Sequence, residues 1–270
     1  MQPSAIRQRL ANGEQLLGFC QCYPAAGIIE CIACDWDFVW IDCQHGQFSY
    51  DRALEAVRTA DSLGIGSLVR VPSREPGVLG QYADLACSGL MVPVVNNSRQ
   101  AEEIVDATRF PPVGNRSYGG RRPIDLMGRD YYRNDPPLLV CQIETREAAE
   151  HAPEIAAVDG VDALLIGTDD LKMQLGLSVN SPTLETEPIV EAMERVASAA
   201  RAAGKFAGCV APSPDLLEPC VAMGYQLLIG GSDVSFLRSA ASAQLKRLRQ
   251  VLARSPRLDE DVRSECPGVH

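Results

Sequence analysis

The chain has 270 residues, a hydrophobic fraction of 46% and a formal net charge of −10 at pH 7. This length suits one α/β barrel or two smaller domains. The negative charge argues against nucleic acid or an anionic membrane as a partner, because both require a basic surface. The N-terminal stretch MQPSAIRQRLANGEQLLGF is polar, and no apolar run approaches the ~20 residues of a membrane span, so the sequence predicts a soluble, cytoplasmic protein.

Eight short apolar runs recur along the chain, and most are followed by a segment of helical length. The runs lie at 16–20, 37–42, 67–71, 90–95, 138–144, 163–167, 206–210 and 226–231. Amphipathic helices are predicted between them, for example at 51–63, 98–108 and 187–203, because apolar residues there fall at helical spacing. This alternation predicts a parallel sheet closed into a (β/α)8 TIM barrel, one domain over residues 1–253. A doubly wound sheet is the alternative, but no G-x-G-x-x-G motif follows the first strand.

Two segments depart from this repeating pattern. The connection at 109–136 is too long for an ordinary helix-to-strand loop and is rich in Gly, Pro, Arg and Tyr. We expect it to pack over a barrel end or a neighbouring subunit. The C-terminal tail, 254–270, is polar and is predicted to be flexible.

Ten cysteines raise the question of a zinc site. Cys20 and Cys22 form a C-x-C pair, and Cys31 and Cys34 form a C-x2-C pair, spacings that occur in zinc sites. However, Cys20 lies in an apolar strand, and the segment AAGIIECIACDWDF has the pattern of a buried helix. The favoured interpretation is therefore reduced thiols buried as small hydrophobic side chains, with structural zinc as the alternative.

Polar residues collect at the carboxyl ends of the predicted strands, where barrel enzymes place their active sites. Asp42 and His45 follow the second strand, Arg70 ends the third, Gln142 and Glu144 end the fifth, and Asp169 and Asp170 follow the sixth. Because these ends meet at one rim of a barrel, we expect the side chains to converge.

The types of these residues point to metal-assisted chemistry. Glu144 and Asp170 are carboxylates from adjacent strands, which suit a hard cation such as Mg²⁺ or Mn²⁺ with positions left open for a substrate. One of Asp169 and Asp170 could instead cap the following helix. Arg70 stands between two valines and needs an anionic partner, which is either a substrate oxygen or a structural salt bridge.

His45 has two interpretations. It is either a general base or an ordinary histidine satisfied by its surroundings. In the first case Asp42, three residues earlier, would accept a hydrogen bond from one imidazole nitrogen and fix the tautomer, leaving the other nitrogen free as the base.

Five segments together resemble the HpcH/HpaI aldolase family of metal-dependent class II pyruvate aldolases, typified by 4-hydroxy-2-oxoheptanedioate aldolase. FVWIDCQHG matches its D-x-E-H-(G/A) segment, and LVRVP matches V-R-x-P. LMVPVVNNSRQAEEIVDATRFPPVGNRS resembles a long V-P-x-V…R-(Y/F)-P-P-x-G-x-R-S stretch. QIETREA and DALLIGTDDL match the motifs at the ends of the fifth and sixth strands. The resemblance covers about residues 15 to 240, and taken in order its motifs are specific.

The resemblance implies a role for each matching residue. It makes Glu144 and Asp170 the ligands of Mg²⁺ or Mn²⁺, with Co²⁺ as a further alternative. Arg70 would contact the keto or enolate oxygen, and Gln142 would line the metal site. The remaining implied residues are the base dyad His45 and Asp42, an acid near it (Asp84), and the backbone of Gly167, Thr168 and Asp169, which receives the substrate carboxylate.

The implied activity is cleavage of a 4-hydroxy-2-oxo acid to pyruvate and an aldehyde via a metal-bound enolate. The family is commonly a hexamer in which a C-terminal helix packs on a neighbour, so a homo-oligomer is expected. Arg121, Arg122, Tyr131 and Tyr132 of the 109–136 loop are candidates for contacting the distal end of the substrate. The alternatives are decarboxylation of an oxo acid or lysis of a CoA-linked hydroxy acid at the same site, and a non-catalytic barrel that binds oxo acids.

Two positions depart from the family pattern. Gln44 stands where the dyad segment usually has Glu, and Asp169 adds an acid to a loop that usually reads G-P-A-D-L. Both departures leave the metal ligands in place and bear on substrate identity.

Overall fold

A computed structural model describes residues 4–134 and 136–254, and in it eight parallel strands close into a barrel in chain order. This confirms the (β/α)8 fold. The strands are β1 (Leu16–Gln21), β2 (Phe38–Asp42), β3 (Gly66–Arg70), β4 (Gly89–Val92), β5 (Leu138–Ile143), β6 (Ala163–Ile166), β7 (Phe206–Val210) and β8 (Leu227–Ser232). The fourth predicted strand runs three residues too far, because Val94 adopts a φ of +54° that does not continue a strand.

Helices cover the outside of the barrel. They are α1 (Ser4–Ala11), α2 (Ala26–Ile32), α3 (Tyr50–Leu63), α4 (Pro76–Ala83), α5 (Ser98–Thr108), α6 (Arg121–Met127), α7 (Arg146–Glu150), α8 (Ala152–Ala156), α9 (Thr168–Gln174), α10 (Glu187–Ala202), α11 (Pro214–Met223) and α12 (Asp233–Arg254). The sequence marks their ends through caps. Ser49 and Asn97 accept hydrogen bonds from backbone N–H groups of α3 and α5, and Gly64 ends α3 with a φ of +71°.

The barrel interior is filled by large apolar side chains that point inward from the strands. Phe38, Trp40, Leu68, Met91, Val140 and Leu165 belong to one buried cluster, as does Cys20. Gly18 of β1 is required here, because a Cβ at that position would lie 2.4 Å from the Phe38 ring. This packed interior is what holds the strand ends, and the residues they carry, in fixed positions.

The cysteines follow the sequence interpretation only in part. All nine described cysteines are free, and Cys20 is buried as expected. Cys31 and Cys34 are exposed, so their predicted burial is wrong. The reason is geometric, because α2 buries Ile29 and the turn after it buries Ala33, which leaves these two thiols on the outer side. Among the described residues, neither joins a group of three potential metal ligands, so the four cysteines do not form one zinc site.

The 109–136 segment packs on the outer layer, where its arginines pair with buried or half-buried carboxylates. Arg109 binds Asp162, Arg116 binds Asp84, and Arg122 binds Asp61. Arg109 also donates to the carbonyls of Pro137 and Gly160, which lead into β5 and β6. A helix-to-strand connection begins and ends on the side opposite the carboxyl ends of the strands.

The side chains that were expected to meet a substrate have other partners in this chain. Arg121 pairs with Asp125 within α6, and the Tyr131 hydroxyl donates to the Gly119 carbonyl at 2.7 Å. Tyr132 lies against Arg133. Within the described residues, no hydrogen bond or ion pair joins these side chains to Asp42, Arg70 or Glu144, and their contact with a substrate stays a prediction.

The chain divides into two compact units. The first, Met1–Asp233, holds the barrel, and the described part of the second, Val234–His270, is the remainder of α12. The tail predicted at 254–270 lies outside the described residues beyond Arg254. In the described part of the chain, no helix is long and apolar enough to cross a membrane.

Candidate active site

Four polar side chains are buried at the carboxyl ends of the strands, which we call the rim. Asp42 and Arg70 are the last residues of β2 and β3 and are paired in the sheet register. Gln142 lies in β5 and Glu144 directly after it. Their exposed fractions are 3%, 6%, 3% and 3% in that order. Buried polar groups of this kind need partners, and the partners define the site.

Asp42 and Arg70 form a two-pronged ion pair. Arg70 Nε donates to Asp42 Oδ1 at 2.9 Å and Nη2 donates to Oδ2 at 2.6 Å. Asp42 Oδ1 also accepts the backbone N–H groups of Gln44 and His45, at 3.1 and 3.2 Å. Burial opposes ionisation of Asp42, but the hydrogen bonds and charge of Arg70 and these N–H groups outweigh it and lower the pKa of the carboxyl. Asp42 is therefore held as a carboxylate against Arg70.

His45 does not make the contact expected of a dyad. The Asp42 carboxylate accepts from Arg70 and from the backbone N–H of His45, and it accepts no hydrogen bond from the imidazole, contrary to the prediction. The His45 side chain is exposed and has no hydrogen bond to any described residue. Asp42 thus fixes the backbone that carries His45, and both ring nitrogens remain available at the rim.

Gln44 stands where the family usually has Glu, and its backbone N–H donates to Asp42 Oδ1. Its side-chain Oε1 is buried and has no hydrogen-bond partner among the described residues. The amide therefore brings no negative charge to the neighbourhood of the Asp42–Arg70 pair.

Arg70 keeps one nitrogen directed across the rim. Its Nη1 faces Gln142 Oε1 at 3.4 Å, a long hydrogen bond. The guanidinium also lies over the Trp40 ring, 4.7 Å from the ring centroid. The salt bridge that the sequence left as an alternative is present, but it uses only Nε and Nη2. Nη1 is the donor that remains for a ligand.

Glu144 is held at one oxygen only. Its Oε1 accepts the backbone N–H of Val94 at 2.7 Å. Burial raises the pKa of the Glu144 carboxyl, the Val94 N–H opposes this, and the nearby charge of Asp170 raises it further. A buried carboxylate whose charge is disfavoured is one that a cation would stabilise.

Gly167 brings the β6 end against this carboxylate. A Cβ there would lie 2.8 Å from Glu144 Cβ, 3.1 Å from Gln142 Nε2 and 3.2 Å from Glu144 Oε2. Its φ is −101°, which any residue adopts, so the glycine is required by space and not by backbone conformation. The close approach shows that the second oxygen of Glu144 faces the start of α9.

Asp169 and Asp170 lie in the first turn of α9. The N-cap of this helix is Gly167, and it has no side-chain cap, so the alternative that one of the two acids caps the helix is wrong. Asp169 pairs with Lys172 at 3.4 Å and is largely exposed. The Asp170 carboxylate is exposed and has no hydrogen bond or ion pair with a described residue.

Glu144 and Asp170 together fit a divalent cation. Glu144 Oε2 and the Asp170 carboxylate are hard oxygen donors without another described partner, and the charge of Asp170 acts on Glu144. Mg²⁺ and Mn²⁺ use one or two carboxylates and keep several water ligands, so this donor set suits them.

Asp84 does not join the rim residues. It is the C-cap of α4, its Oδ1 accepts from Arg116 Nη2 at 2.6 Å, and Gly120 packs against it. No hydrogen bond or ion pair joins Asp84 to His45 or Asp42 among the described residues, so the role of Asp84 near that pair stays a prediction. The motif located an acid in the sequence, but α4 carries it to the outer layer of helices.

Sequence reasoning missed the role of Val94 at the rim, and it noted the C-x-C spacing of Cys20 and Cys22 without placing the pair beside Asp42. Val94 positions Glu144 through its backbone N–H. Its positive φ could not be predicted from residue type, because positive φ usually occurs at Gly or Asn. Cys20 lies in β1 and Cys22 directly follows its last residue, with the two sulfurs 3.8 Å apart. With Asp42 they form a group whose donor atoms lie within 4.8 Å of one another. The hydrogen bond from Cys20 lowers the pKa of Cys22. Here the signal was available, since alternate residues of a strand share a face.

Comparisons with known proteins are consistent across sequence and structure. A family model described as HpcH/HpaI aldolase/citrate lyase matches residues 16–240. The chain is 33% identical over 254 residues to a 4-hydroxy-2-oxovalerate aldolase of Rhodococcus jostii, covering 92% of this chain and 97% of the relative. It is 34% identical over 241 residues to a hydroxypyruvate/pyruvate aldolase of Delftia acidovorans, covering 87% of each. A solved HpcH/HpaI aldolase/citrate lyase family protein from Burkholderia cenocepacia J2315 superposes with a TM-score of 0.83 at 28% identity, over 91% of this chain and 99% of that one.

Proposed function

The chain belongs to the HpcH/HpaI aldolase/citrate lyase family and is an aldolase, and we propose that it uses a divalent metal ion to cleave a 4-hydroxy-2-oxo acid to pyruvate and an aldehyde. The observation that carries the proposal is that two buried polar groups of the rim each keep one atom available for a ligand. Arg70 keeps Nη1 free of its salt bridge, and Glu144 keeps Oε2 free of its backbone donor. Gln142 lies between them, in contact distance of Arg70 and of the Gly167 position.

Glu144 and Asp170 are the residues that would hold the metal. An ion bound there supplies Lewis-acid polarisation of the 2-oxo group and positive charge where the enolate forms. The all-oxygen donor set favours Mg²⁺ or Mn²⁺, with Co²⁺ as an alternative. The Val94 N–H fixes Oε1 of Glu144, which directs Oε2 toward Gly167.

Arg70 acts on the keto oxygen of the substrate. Its Nη1 donates a hydrogen bond that strengthens as negative charge develops on that oxygen in the transition state. Asp42 holds Nε and Nη2, so the guanidinium is oriented before the substrate arrives and little reorganisation is needed. The backbone of Gly167, Thr168 and Asp169 receives the substrate carboxylate.

His45 removes the proton of the 4-hydroxyl group. Its imidazole is exposed at the rim and carries no hydrogen bond from a described residue, so a ring nitrogen is available as a base. As the proton leaves, the C3–C4 bond breaks, C4 becomes the aldehyde carbon, and the bonding electrons form the enolate of pyruvate. Protonation of that enolate at C3 completes the reaction.

The test is a substrate panel with matched variants. Pyruvate release from 4-hydroxy-2-oxo acids should require an added divalent ion and should fall by about 10²-fold or more in Glu144→Ala and in Asp170→Ala. Glu150→Ala, which removes an exposed carboxylate of α7, is the control and should retain activity. Metal-independent cleavage, or full activity in both ligand variants, would refute the proposal. Oxaloacetate in the same panel identifies a decarboxylase, and binding without turnover identifies a non-catalytic barrel.

A homo-oligomer and a cytoplasmic location complete the proposal. Within its own unit, α12 exposes Leu245, Leu248 and Leu252 at helical spacing, an apolar stripe that a second copy of the chain would cover. Free thiols are typical of a reducing compartment. Sedimentation velocity of the wild type and of Leu248→Asp tests the oligomer, which should dissociate in the variant.

A further inference from the structure

The C-x-C pair at the end of β1 lies beside the Asp42–Arg70 ion pair and has no role in the proposed aldol cleavage. We propose that Cys20, Cys22 and Asp42 form a binding site for a thiophilic divalent cation such as Zn²⁺ or Cd²⁺, separate from Glu144 and Asp170, and that occupation of this site inhibits the enzyme.

The distances fit tetrahedral coordination. The sulfurs of Cys20 and Cys22 are 3.8 Å apart. Two thiolates bound to one zinc ion at ~2.3 Å in a tetrahedral arrangement stand about 3.8 Å from each other. One Asp42 oxygen completes the group, and all three donor atoms lie within 4.8 Å of one another. Closing the site requires an Asp42 oxygen to turn from Arg70 toward the two sulfurs.

The framework around the thiols is fixed before any ion binds. The Cys22 N–H donates to the buried Asp233 carboxylate at 3.0 Å, and the Cys22 carbonyl accepts the Gln47 N–H at 2.9 Å. Cys20 lies in β1, paired in register with Trp40 of β2. Because both backbone positions are held from two sides, binding costs little conformational entropy.

Access and ligand type distinguish this thiolate site from the carboxylate site of Glu144 and Asp170. Cys20 is buried in the barrel interior, whereas Cys22 is half-buried, so an ion can reach the pair from the Cys22 side. Thiolates favour soft or borderline cations, and the carboxylates of Glu144 and Asp170 favour Mg²⁺ or Mn²⁺. The two sites should therefore distinguish between ions.

Inhibition follows from competition for one carboxylate. Both oxygens of Asp42 are engaged by Arg70, so an ion that takes one of them must weaken that ion pair. Binding releases the two thiol protons to solvent, and the two thiolates and the carboxylate then balance the divalent cation and Arg70. Arg70 then loses a hydrogen bond to Asp42 that orients its Nη1 toward the substrate. This consequence rests on the proposed function, whereas the binding itself does not.

Cadmium titration tests the binding, since thiolate coordination adds an ultraviolet charge-transfer absorption that carboxylate coordination lacks. The experiment uses a Cys31→Ser/Cys34→Ser/Cys266→Ser background, which removes the two exposed thiols of the described residues and the one cysteine outside them. One equivalent of Cd²⁺ should produce the absorption, Cys22→Ser should abolish it, and Cys43→Ser, which removes a neighbouring buried thiol outside the group, should leave it intact. Circular dichroism confirms that each variant folds. Persistence of the absorption in Cys22→Ser, or its loss in Cys43→Ser, would overturn the site.

A second measurement tests the inhibition. In Mn²⁺-loaded enzyme, one equivalent of Zn²⁺ should reduce cleavage by about 10²-fold in the background protein, a loss of the size expected when one electrostatic stabiliser is removed. Cys22→Ser should resist Zn²⁺ relative to its own uninhibited rate. Equal inhibition of both proteins would refute the link to Asp42 even if Cd²⁺ binds. If no substrate is cleaved by either protein, the aldolase proposal fails while the cadmium result still decides the site.

Discussion

Asp42→Asn should be strongly destabilising, because it breaks a buried ion pair and leaves its partner charged. The side chains of Arg70 and Asp42 are 8% and 4% exposed, and two hydrogen bonds of 2.9 and 2.6 Å join them. An amide at position 42 would turn an N–H toward Arg70 Nη2, which is itself a donor. Removing one partner of a buried pair costs about 3–5 kcal/mol of unfolding free energy.

Urea unfolding followed by circular dichroism at pH 7 measures this loss. At about 2–4 °C per kcal/mol, the melting temperature should also fall by about 6–20 °C. The control is a double-mutant cycle with Arg70→Met, in which the double variant should be less destabilised than the sum of the two single variants. A loss below about 1 kcal/mol in Asp42→Asn, or a cycle that is additive, would refute the conclusion that the pair is coupled and buried.

The Asp42–Arg70 ion pair also predicts that the free energy of unfolding decreases at low pH. Because Arg70 holds the pKa of Asp42 below its usual value, the unfolded chain takes up the proton first as pH falls. The contribution of Asp42 is therefore complete above the unfolded value of ~3.9 and is lost as pH falls through the lower folded pKa. The difference in unfolding free energy between wild type and Asp42→Asn should be constant near neutral pH and shrink in acid. A difference that grows in acid would contradict this.

Three further predictions concern the metal side of the rim. Glu144→Gln should raise the melting temperature of the metal-free protein at pH 7, since burial disfavours the carboxylate, and should remove the stabilisation by Mn²⁺ seen in wild type; a lower melting temperature would contradict it. Gly167→Ala should cost about 1–3 kcal/mol in urea unfolding and weaken Mn²⁺ binding, because its Cβ would lie 2.8 Å from Glu144 Cβ; unchanged binding would contradict it. Val94→Gly should add about 0.5–1 kcal/mol of stability by relieving a left-handed conformation, whereas Val95→Gly, at a buried position, should lose stability.

Features that depend on neighbouring residues could be predicted from the sequence, whereas features that depend on tertiary contacts could not. Strand and helix positions depend on the periodicity of apolar residues and on caps such as Ser49 and Asn97, so they could be predicted. The one clear boundary error lies at Val94. Its positive φ is maintained by tertiary contacts, including the hydrogen bond to Glu144, against its own preference.

The sequence by itself determined the barrel and the rim, since eight alternating units close in only a few ways and carry Asp42, Arg70, Gln142 and Glu144 to the same end. Only the tertiary structure decided which of these groups pair. Asp42 lies three residues from His45 in the chain, yet the sheet register puts it beside Arg70 on the next strand, where a buried guanidinium outcompetes an exposed imidazole for the carboxylate. The same reason gives Asp84 its partner Arg116, because side-chain partners depend on packing between elements distant in sequence.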